Sequence, residues 1–530
     1  MPPETPSSDG RIVGFMDIGT NAVRLLLVRF NPNRSYTILT RQREAVRLGE
    51  GEFPEQRLQQ QAMHRAVLVC ARFADMARSY GAGEIVAVAT SASREAENQR
   101  SFLKLLQQKA RLDVRVVSGK EEARLIYLGV SSGVNLGGRR ALFLDIGGGS
   151  TEVAVGDQHQ YQHLDTIKLG AIRLTTLFFL PGETDPIPPA RYNLVKAYVR
   201  NISVRAVQKL RQHKFDIAIG SSGTIVTLAE IAARLFRKRP WRKDDILTRE
   251  QLREVIRLLC SLSTEERRSV PGMNPERADI IIGGAAVLDV LMEELKLPDL
   301  RVSERGLRDG LLIEYLSRTE HGGLEPVGFR ERSVLQLGRS CGFNEAHART
   351  VERLALELFD TARELRLHRL GDWQRELLGY SALMHDLGMF LSYDNHNAHS
   401  AYVIRNAELL GFDQTEQAIM ATTALFHGKA LPRKKNPEFA ALDTRSREIV
   451  RVLCIFLRVA ESLDRSHMGV VEHARFTAAG RKRAVLEIKS EQDCQLELWG
   501  LANHEKGFSK VFNRKLVVEG PSRTGSKYSE

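Results

Sequence analysis

Two stretches of the chain carry residue types that could handle phosphate. One is "FMDIGTNAVRLLLV" (Phe15–Val28) and the other "FLDIGGGSTEVAVG" (Phe143–Gly156). They share an aromatic, an apolar residue, then Asp-Ile-Gly. Successive backbone N–H groups in such a turn form a nest for phosphate oxygens, and glycine lets the ligand approach closely. The aspartates Asp17 and Asp145 would repel bare phosphate. They make sense beside it if they hold a divalent cation, directly or through water. Asp145 and Glu152 are therefore the expected metal-side carboxylates, suited to Mg²⁺, with Asp17 contributing from the other stretch. Three consecutive glycines also suit a dinucleotide loop or a P-loop, but both of those lead from a strand into a helix. Here Thr151–Val155 is β-rich and ends at Gly156, which reads as strand–turn–strand, and neither GxGxxG nor GK[ST] is present.

The surrounding pattern supplies the elements that must position these turns. Residues 12–40 read as strands, 58–80 as a helix, "EIVAVATSA" as a strand with a polar exit, and "REAENQRSFLKLLQQKA" as a helix. "DVRVVSG" and "KEEARLIYLGVSSG" continue the alternation as strand and helix, giving an α/β lobe. A second lobe of the same style begins at "RALFLDIGGGSTEVAVG". After "EHGGLEPVGFR", a linker, residues 331–470 have helical spacing almost throughout. From about 474 short strands return as "RAVLEIKS", "CQLELWG" and "RKLVVEG". The expected domains are 1–130, 131–322, 323–472 and 473–530. The N-terminal "MPPETPSSDGR" reads as a frayed tail without a signal peptide's apolar core, and the C-terminal "SRTGSKYSE" as disordered.

Composition bounds the function classes. At 530 residues, 43% hydrophobic and 27% charged, the chain is an ordinary globular protein. No run reaches the ~18 uninterrupted apolar residues of a membrane span. Five cysteines without a CxxC pair argue against a disulfide framework and against zinc. The expected compartment is the reducing cytoplasm, with peripheral attachment at a membrane as the other placement. A net charge of +12 and a pI near 9.5 fit attraction to a polyanion: nucleic acid, a membrane surface or polyphosphate. Charge alone leaves these open, and an arginine-rich solvated surface would look the same.

The paired turns resemble the actin, sugar-kinase and heat-shock ATPase superfamily. The ordered motifs "DIGTNAVRLL" (17–26), "ATSASREAEN" (89–98), "SGKEEARLIYLGV" (118–130), "DIGGGSTE" (145–152), "GSSGT" (220–224), "GMNPERADIIIGGAAVL" (272–288) and "GLRDGLL" (306–312) resemble the exopolyphosphatase/guanosine pentaphosphate phosphohydrolase (Ppx/GppA) family. Within it the chain looks most like an exopolyphosphatase. The resemblance implies two actin-like, ribonuclease H-like α/β lobes, an all-helical HD-like domain and a small mixed α/β C-terminal domain. It implies processive release of terminal orthophosphate from inorganic polyphosphate with Mg²⁺ or Mn²⁺, K⁺ being a further candidate ion. The polymer would lie between the lobes and continue along basic surface of the later domains. Hydrolysis of guanosine pentaphosphate (pppGpp) at the same site is the alternative, and a sensor of polyphosphate or alarmone (pppGpp/ppGpp) with weak catalysis is another. A homodimer is implied as well. The resemblance points to Glu122 as the water-activating base, and the local sequence agrees. Ser118 and Glu121 have the spacing of a capping box, which leaves Glu122 without a structural task. Arg94 and Arg277 match phosphate-contacting positions. Thr20, Asn21, Gly147, Gly148, Gly149, Ser150, Thr151, Gly223 and Thr224 would supply backbone or hydroxyl donors. Ala22 stands where relatives often carry Ser, so one hydroxyl is missing.

In the helical region, "SALMHDLGMF" sets His385 beside Asp386. His347 precedes them, and His396, His399, His427 and Asp464 follow. This order resembles HD-type metal phosphohydrolases, which implies a second divalent ion held by His347, His385, Asp386, His399, His427 and Asp464.

Overall fold

The structure, a computed structural model, describes residues 10–179, 185–319, 329–428 and 431–520. The expected N-terminal tail, the C-terminal tail and nearly all of the 320–330 linker lie outside the described residues. The chain divides into two compact units, residues 1–32 with 36–326, and 33–35 with 327–530.

The first unit holds two sheets. In one, β1 (Arg11–Ile18), β2 (Ala22–Phe30), β3 (Tyr36–Ala45), β4 (Glu84–Ala89) and β5 (Val114–Val116) lie in the order β3-β2-β1-β4-β5. In the other, β6 (Ala141–Ile146), β7 (Thr151–Gly156), β8 (Tyr161–Ile167), β9 (Ile217–Ser221), β10 (Ile246–Thr248) and β11 (Asp299–Val302) lie in the order β10-β11-β9-β6-β7-β8. Apart from β10 the two are copies: an antiparallel meander of three strands, then two strands parallel to the first. Both "DIG" stretches are the first turn of their meander, as the β-hairpin reading requires.

Strand periodicity explains why the first strands are apolar throughout. Alternate side chains of β1 enter different cores: Met16 and Ile18 face the first lobe's helices, while Val13 and Phe15 face a core shared with the second lobe. In β6, Leu142, Leu144 and Ile146 face the second lobe's helices, and Ala141 and Phe143 enter the same shared core. The repeated aromatic of the motif therefore faces the middle of the unit in both copies.

Two helices cross between the lobes. The helix Gly119–Ser131 follows the first sheet in sequence but packs on β7 and β8, whereas Leu307–Thr319 follows the second sheet and packs on β1 and β2. They cross at glycine: a Cβ on Gly129 would strike the backbone of Gly306, and one on Gly310 the backbone of Leu125.

In the second unit, helices including Glu345–Glu364, Asp372–Met384, His396–Asn406, Gln414–Leu425 and Thr444–Ser462 share one core with a small sheet of β12 (His473–Ala479), β13 (Arg483–Lys489) and β14 (Lys515–Glu519). "CQLELWG", expected as a strand, is instead within the helix Gln495–Ala502. Its alternating leucines suggest a strand, but Leu496 and Trp499 are exposed. The buried residues are Glu497, Gly500 and Leu501, at helical spacing, and Glu497 accepts a hydrogen bond from the Ser466 N–H at 3.1 Å. The third strand of that sheet is β12, which the sequence reading passed over.

Candidate active site

The two hairpin turns meet across a cleft of about 340 Å³ in the first unit. Each turn is closed by the same bond: the Gly19 N–H to the Ala22 carbonyl at 3.0 Å, and the Gly147 N–H to the Ser150 carbonyl at 2.9 Å. A Cβ at Gly148 would lie 3.0 Å from the Thr20 side chain, and one at Gly149 would lie 2.6 Å from Ser91 Oγ. The glycines thus let the two turns pack while their backbone stays open to a ligand.

Strand register sorts the charged groups. Asp17 lies opposite Arg24 on β1/β2, and Asp145 opposite Glu152 on β6/β7. The repeat therefore puts an arginine in one lobe where the other has a second carboxylate. Arg24 Nη1 stands 3.4 Å from Asp17 Oδ2. In the other lobe, Asp145 accepts from Ser221 Oγ at 2.5 Å and Glu152 from Thr166 Oγ1 at 2.9 Å. Burial raises the Asp17 carboxyl against the pull of Arg24 and Arg308, and raises Asp145 against its bond from Ser221. Burial also holds Glu152 well above the carboxylate range, with Glu122 and Asp145 pushing the same way. Adjacent buried carboxylates met chiefly by hydroxyls are the donor set a hard divalent cation needs, so Asp145 and Glu152 fit Mg²⁺.

Glu122 lies in the first turn of the 119–131 helix. Ser118 caps that helix by accepting from the Glu121 N–H at 3.2 Å. The reciprocal half of the expected capping box does not form, because the Glu121 carboxylate takes a two-pronged bond from Arg124, 2.9 Å on each side. Glu122 points inward at 7% exposure. Its Oε2 accepts from Arg94 Nη1 at 2.8 Å, and that same nitrogen donates to the Val117 carbonyl at 3.0 Å. Burial raises the Glu122 carboxyl to about 7, Arg94 opposing the shift and Asp17 and Asp145 adding to it. A carboxyl poised near neutrality in a cleft has the proton affinity of a general base.

Arginines line the same cleft. Arg277 is 6% exposed, and burial with Arg24 and Arg43 nearby lowers its guanidinium to about 9. It lies against Gly223, where any Cβ would strike the guanidinium. Gly223 and Ser222 open the helix Ser222–Ala232 at the cleft, so its backbone N–H groups also favour an anion. Ser222 has φ 86°, a left-handed strain that points its turn into the site. Its buried Oγ, and both polar atoms of the Asn21 side chain, have no hydrogen-bond partner among the described residues.

The cleft brings together Asp17, Thr20, Asn21, Glu122, Asp145, Gly147, Gly148, Gly149, Ser150, Gly223 and Arg277. Other expected residues sit behind it. Arg94 holds Glu122, Thr151 Oγ1 donates to the Leu169 carbonyl at 2.7 Å, and Thr224 packs against Gly284. Glu152 is buried beside its cross-strand partner Asp145 and does not itself line the cleft. Arg24, Arg43, Arg305, Arg308 and Ser222 also line the cleft and were missed in the sequence. Arg24 could have been found there as the repeat counterpart of Glu152, and Arg308 as the cation in "GLRDGLL".

The second unit gathers another set. Ligand atoms of His347, His385 and Asp386 lie together, as do those of His347, Glu461 and His467, and those of Asp386, His396 and His427. His399 and Asp464 belong to none of these groups. His396, a turn earlier, takes the place expected for His399. Glu461, a turn before Asp464, takes that residue's place, while Asp464 Oδ2 meets His347 Nδ1 at 2.7 Å. Glu461 and His467 were not foreseen.

The sequence profile of the Ppx/GppA phosphatase family matches residues 27–319, and that of Ppx/GppA phosphatase domain III matches residues 329–505. Among solved structures, an exopolyphosphatase from Cytophaga hutchinsonii is 25% identical with a TM-score of 0.55, covering 59% of this chain and 100% of that one. An exopolyphosphatase-like protein is 27% identical with a TM-score of 0.53, covering 58% of this chain and 98% of that one. With two actin-like lobes, a matching domain III and a cleft between paired hairpins, the chain belongs to the Ppx/GppA phosphatase family and is a phosphohydrolase.

Proposed function

We propose that this chain removes terminal orthophosphate from inorganic polyphosphate in the cleft between its two lobes. The observation that carries the reading is Glu122: buried, fixed by Arg94, raised to about 7 and lining a cleft with both carboxylates and arginines. Among the described residues lining the cleft none is aromatic, so no ring there could stack a guanine. Donors and cations suit a ligand made of phosphates alone, and the matched exopolyphosphatases support the same substrate class.

The chain's own groups account for the steps. The turn N–H groups and Arg277 hold the non-bridging oxygens, while the cleft arginines neutralise charge as it spreads in the transition state. A divalent cation at Asp145 and Glu152 would add charge neutralisation to the same phosphates. Arg94 keeps Glu122 in one orientation, and Glu122 takes a proton from water as the water oxygen attacks the terminal phosphorus. The bond from phosphorus to the bridging oxygen breaks, and that oxygen leaves with the shortened polymer. The proton on Glu122 then passes to solvent or to the leaving chain.

The test compares orthophosphate release from long polyphosphate and from pppGpp, with wild type and Glu122→Gln. Polyphosphate should be the better substrate by kcat/KM, and E122Q should lose about 10²–10⁴-fold in kcat with KM little changed. Preference for pppGpp would overturn the substrate assignment, and full activity in E122Q would overturn the base.

A further inference from the structure

The cluster in the second unit has a feature that packing does not explain. Four imidazoles have their Nδ1 atoms occupied outside the cluster. His385 Nδ1 meets the Ala382 carbonyl at 2.7 Å, His427 Nδ1 the Ala424 carbonyl at 2.7 Å, and His396 Nδ1 the Tyr393 carbonyl at 2.8 Å. His347 Nδ1 meets the Asp464 carboxylate at 2.7 Å. Carbonyls and carboxylates only accept, so each Nδ1 carries a proton, and in the neutral ring Nε2 then presents a lone pair. This is the outer hydrogen bonding that orients histidines toward a metal.

The Nε2 atoms converge on two carboxylates. Asp386 Oδ1 has His385 Nε2 at 3.6 Å, His396 Nε2 at 3.4 Å and His427 Nε2 at 3.6 Å, yet it is buried and accepts no hydrogen bond from the described residues. His347 Nε2, equally buried and without a well-aligned hydrogen bond among the described residues, lies 3.2 Å from Glu461 Oε2 and 4.0 Å from Asp386 Oδ2. Around an ion with ligands at ~2.1 Å, neighbouring donor atoms stand ~3.0 Å apart in an octahedron and ~3.4 Å in a tetrahedron. The spacings are ligand edges more than hydrogen bonds. His396 Nε2 and His427 Nε2, 3.2 Å apart, would otherwise set two lone pairs face to face unless one ring were charged. His385 with Glu461, at 2.8 Å, could be a simple ion pair, but that leaves Asp386 Oδ1 without a partner.

We propose that the second unit holds a pair of transition-series divalent ions bridged by Asp386. One ion lies among His347, Glu461 and His467, and the other between His396 and His427. Asp386 turns Oδ2 to the first group and Oδ1 to the second. An imidazole-rich set selects Mn²⁺, Fe²⁺, Co²⁺ or Zn²⁺ over Mg²⁺ or Ca²⁺. The centre is independent of the lobe cleft and of the reading given for it.

The full-length chain would be stripped with chelator, reloaded with Co²⁺ or Mn²⁺, freed of loose ion by gel filtration and assayed for bound metal. About two ions per chain should remain, with d–d bands for Co²⁺ and an exchange-coupled resonance spectrum for Mn²⁺. Asp145→Asn, which disables the cation site read in the lobe cleft, should still retain about two ions. His396→Ala should lose one ion, whereas His399→Ala should lose none. Asp464→Asn should weaken binding about 10–100-fold through His347. Asp386→Asn should lose the coupling, and His396→Ala keeps the test open if that variant fails to fold. A wild type retaining one ion or none, or a His396→Ala protein retaining both, overturns the proposal.

Discussion

At the residue scale, charge sorting by the internal repeat does most to define the site. Asp17 and Asp145 are equivalent, but Arg24 faces one and Glu152 the other. One lobe therefore offers a half-neutralised carboxylate and the other a pair of carboxylates. Glu122 sits where both fields act on it, and its raised proton affinity predicts the pH profile. Activity should fall as pH drops through about 7, where Glu122 takes up the proton that disables it as a base. Arg94 opposes that rise, so Arg94→Met should shift the acid limb of kcat/KM to higher pH. An unmoved limb would show that another group sets it. The place of Glu122 in the cleft was legible in the sequence from its motif and from its position beside the capping Glu121, even though only half the capping box forms. Arg24 was overlooked because a lone arginine in a strand looks like surface until its cross-strand partner is known.

At the element scale, glycine positions fix close approaches. Gly223 makes room for the Arg277 guanidinium at the mouth of the 222–232 helix. Gly223→Ala should displace that arginine and cost about tenfold in kcat/KM for polyphosphate without changing the circular dichroism spectrum. The crossing of the 119–131 and 307–319 helices depends on Gly129 and Gly310 in the same way. Gly310→Val should destabilise the two-lobed unit by about 1–3 kcal/mol in chemical denaturation, through overpacking against the Leu125 backbone. Most elements were readable because strand and helix periods are local. The exchange of crossing helices was not, since nothing in either helix states which sheet receives it. "CQLELWG" failed for a related reason: Glu497 is buried by its bond from Ser466, a partner about thirty residues away in sequence.

At the scale of the whole molecule, the cleft concentrates carboxylates whose proton affinities burial has raised: Asp17, Glu122, Asp145 and Glu152. Such groups contribute stability that is fully present below their unfolded pKa and lost as pH rises through the folded one. For Glu122 that window runs from 4.5 to about 7. The metal-free protein should therefore lose thermal stability between these values. Glu122→Gln should remove roughly 3 kcal/mol of that pH dependence, and Mg²⁺ should raise the midpoint most at the alkaline end. A flat melting profile that Mg²⁺ does not move would contradict both the burial of these charges and the cation site.

The sequence by itself determined the paired strand–turn–strand motifs, the α/β-then-helical order, the family and the central carboxylates. All of these follow from local periodicity or from short runs of defined residue type. Tertiary structure alone decided which cations face the cleft, that Arg94 serves Glu122 instead of lining the site, and that His396 and Glu461 stand where His399 and Asp464 were expected. In a helix, neighbours one turn apart are nearly interchangeable by spacing, since three- and four-residue steps share a face. Only the packing of the neighbouring helices selects the one whose side chain points inward.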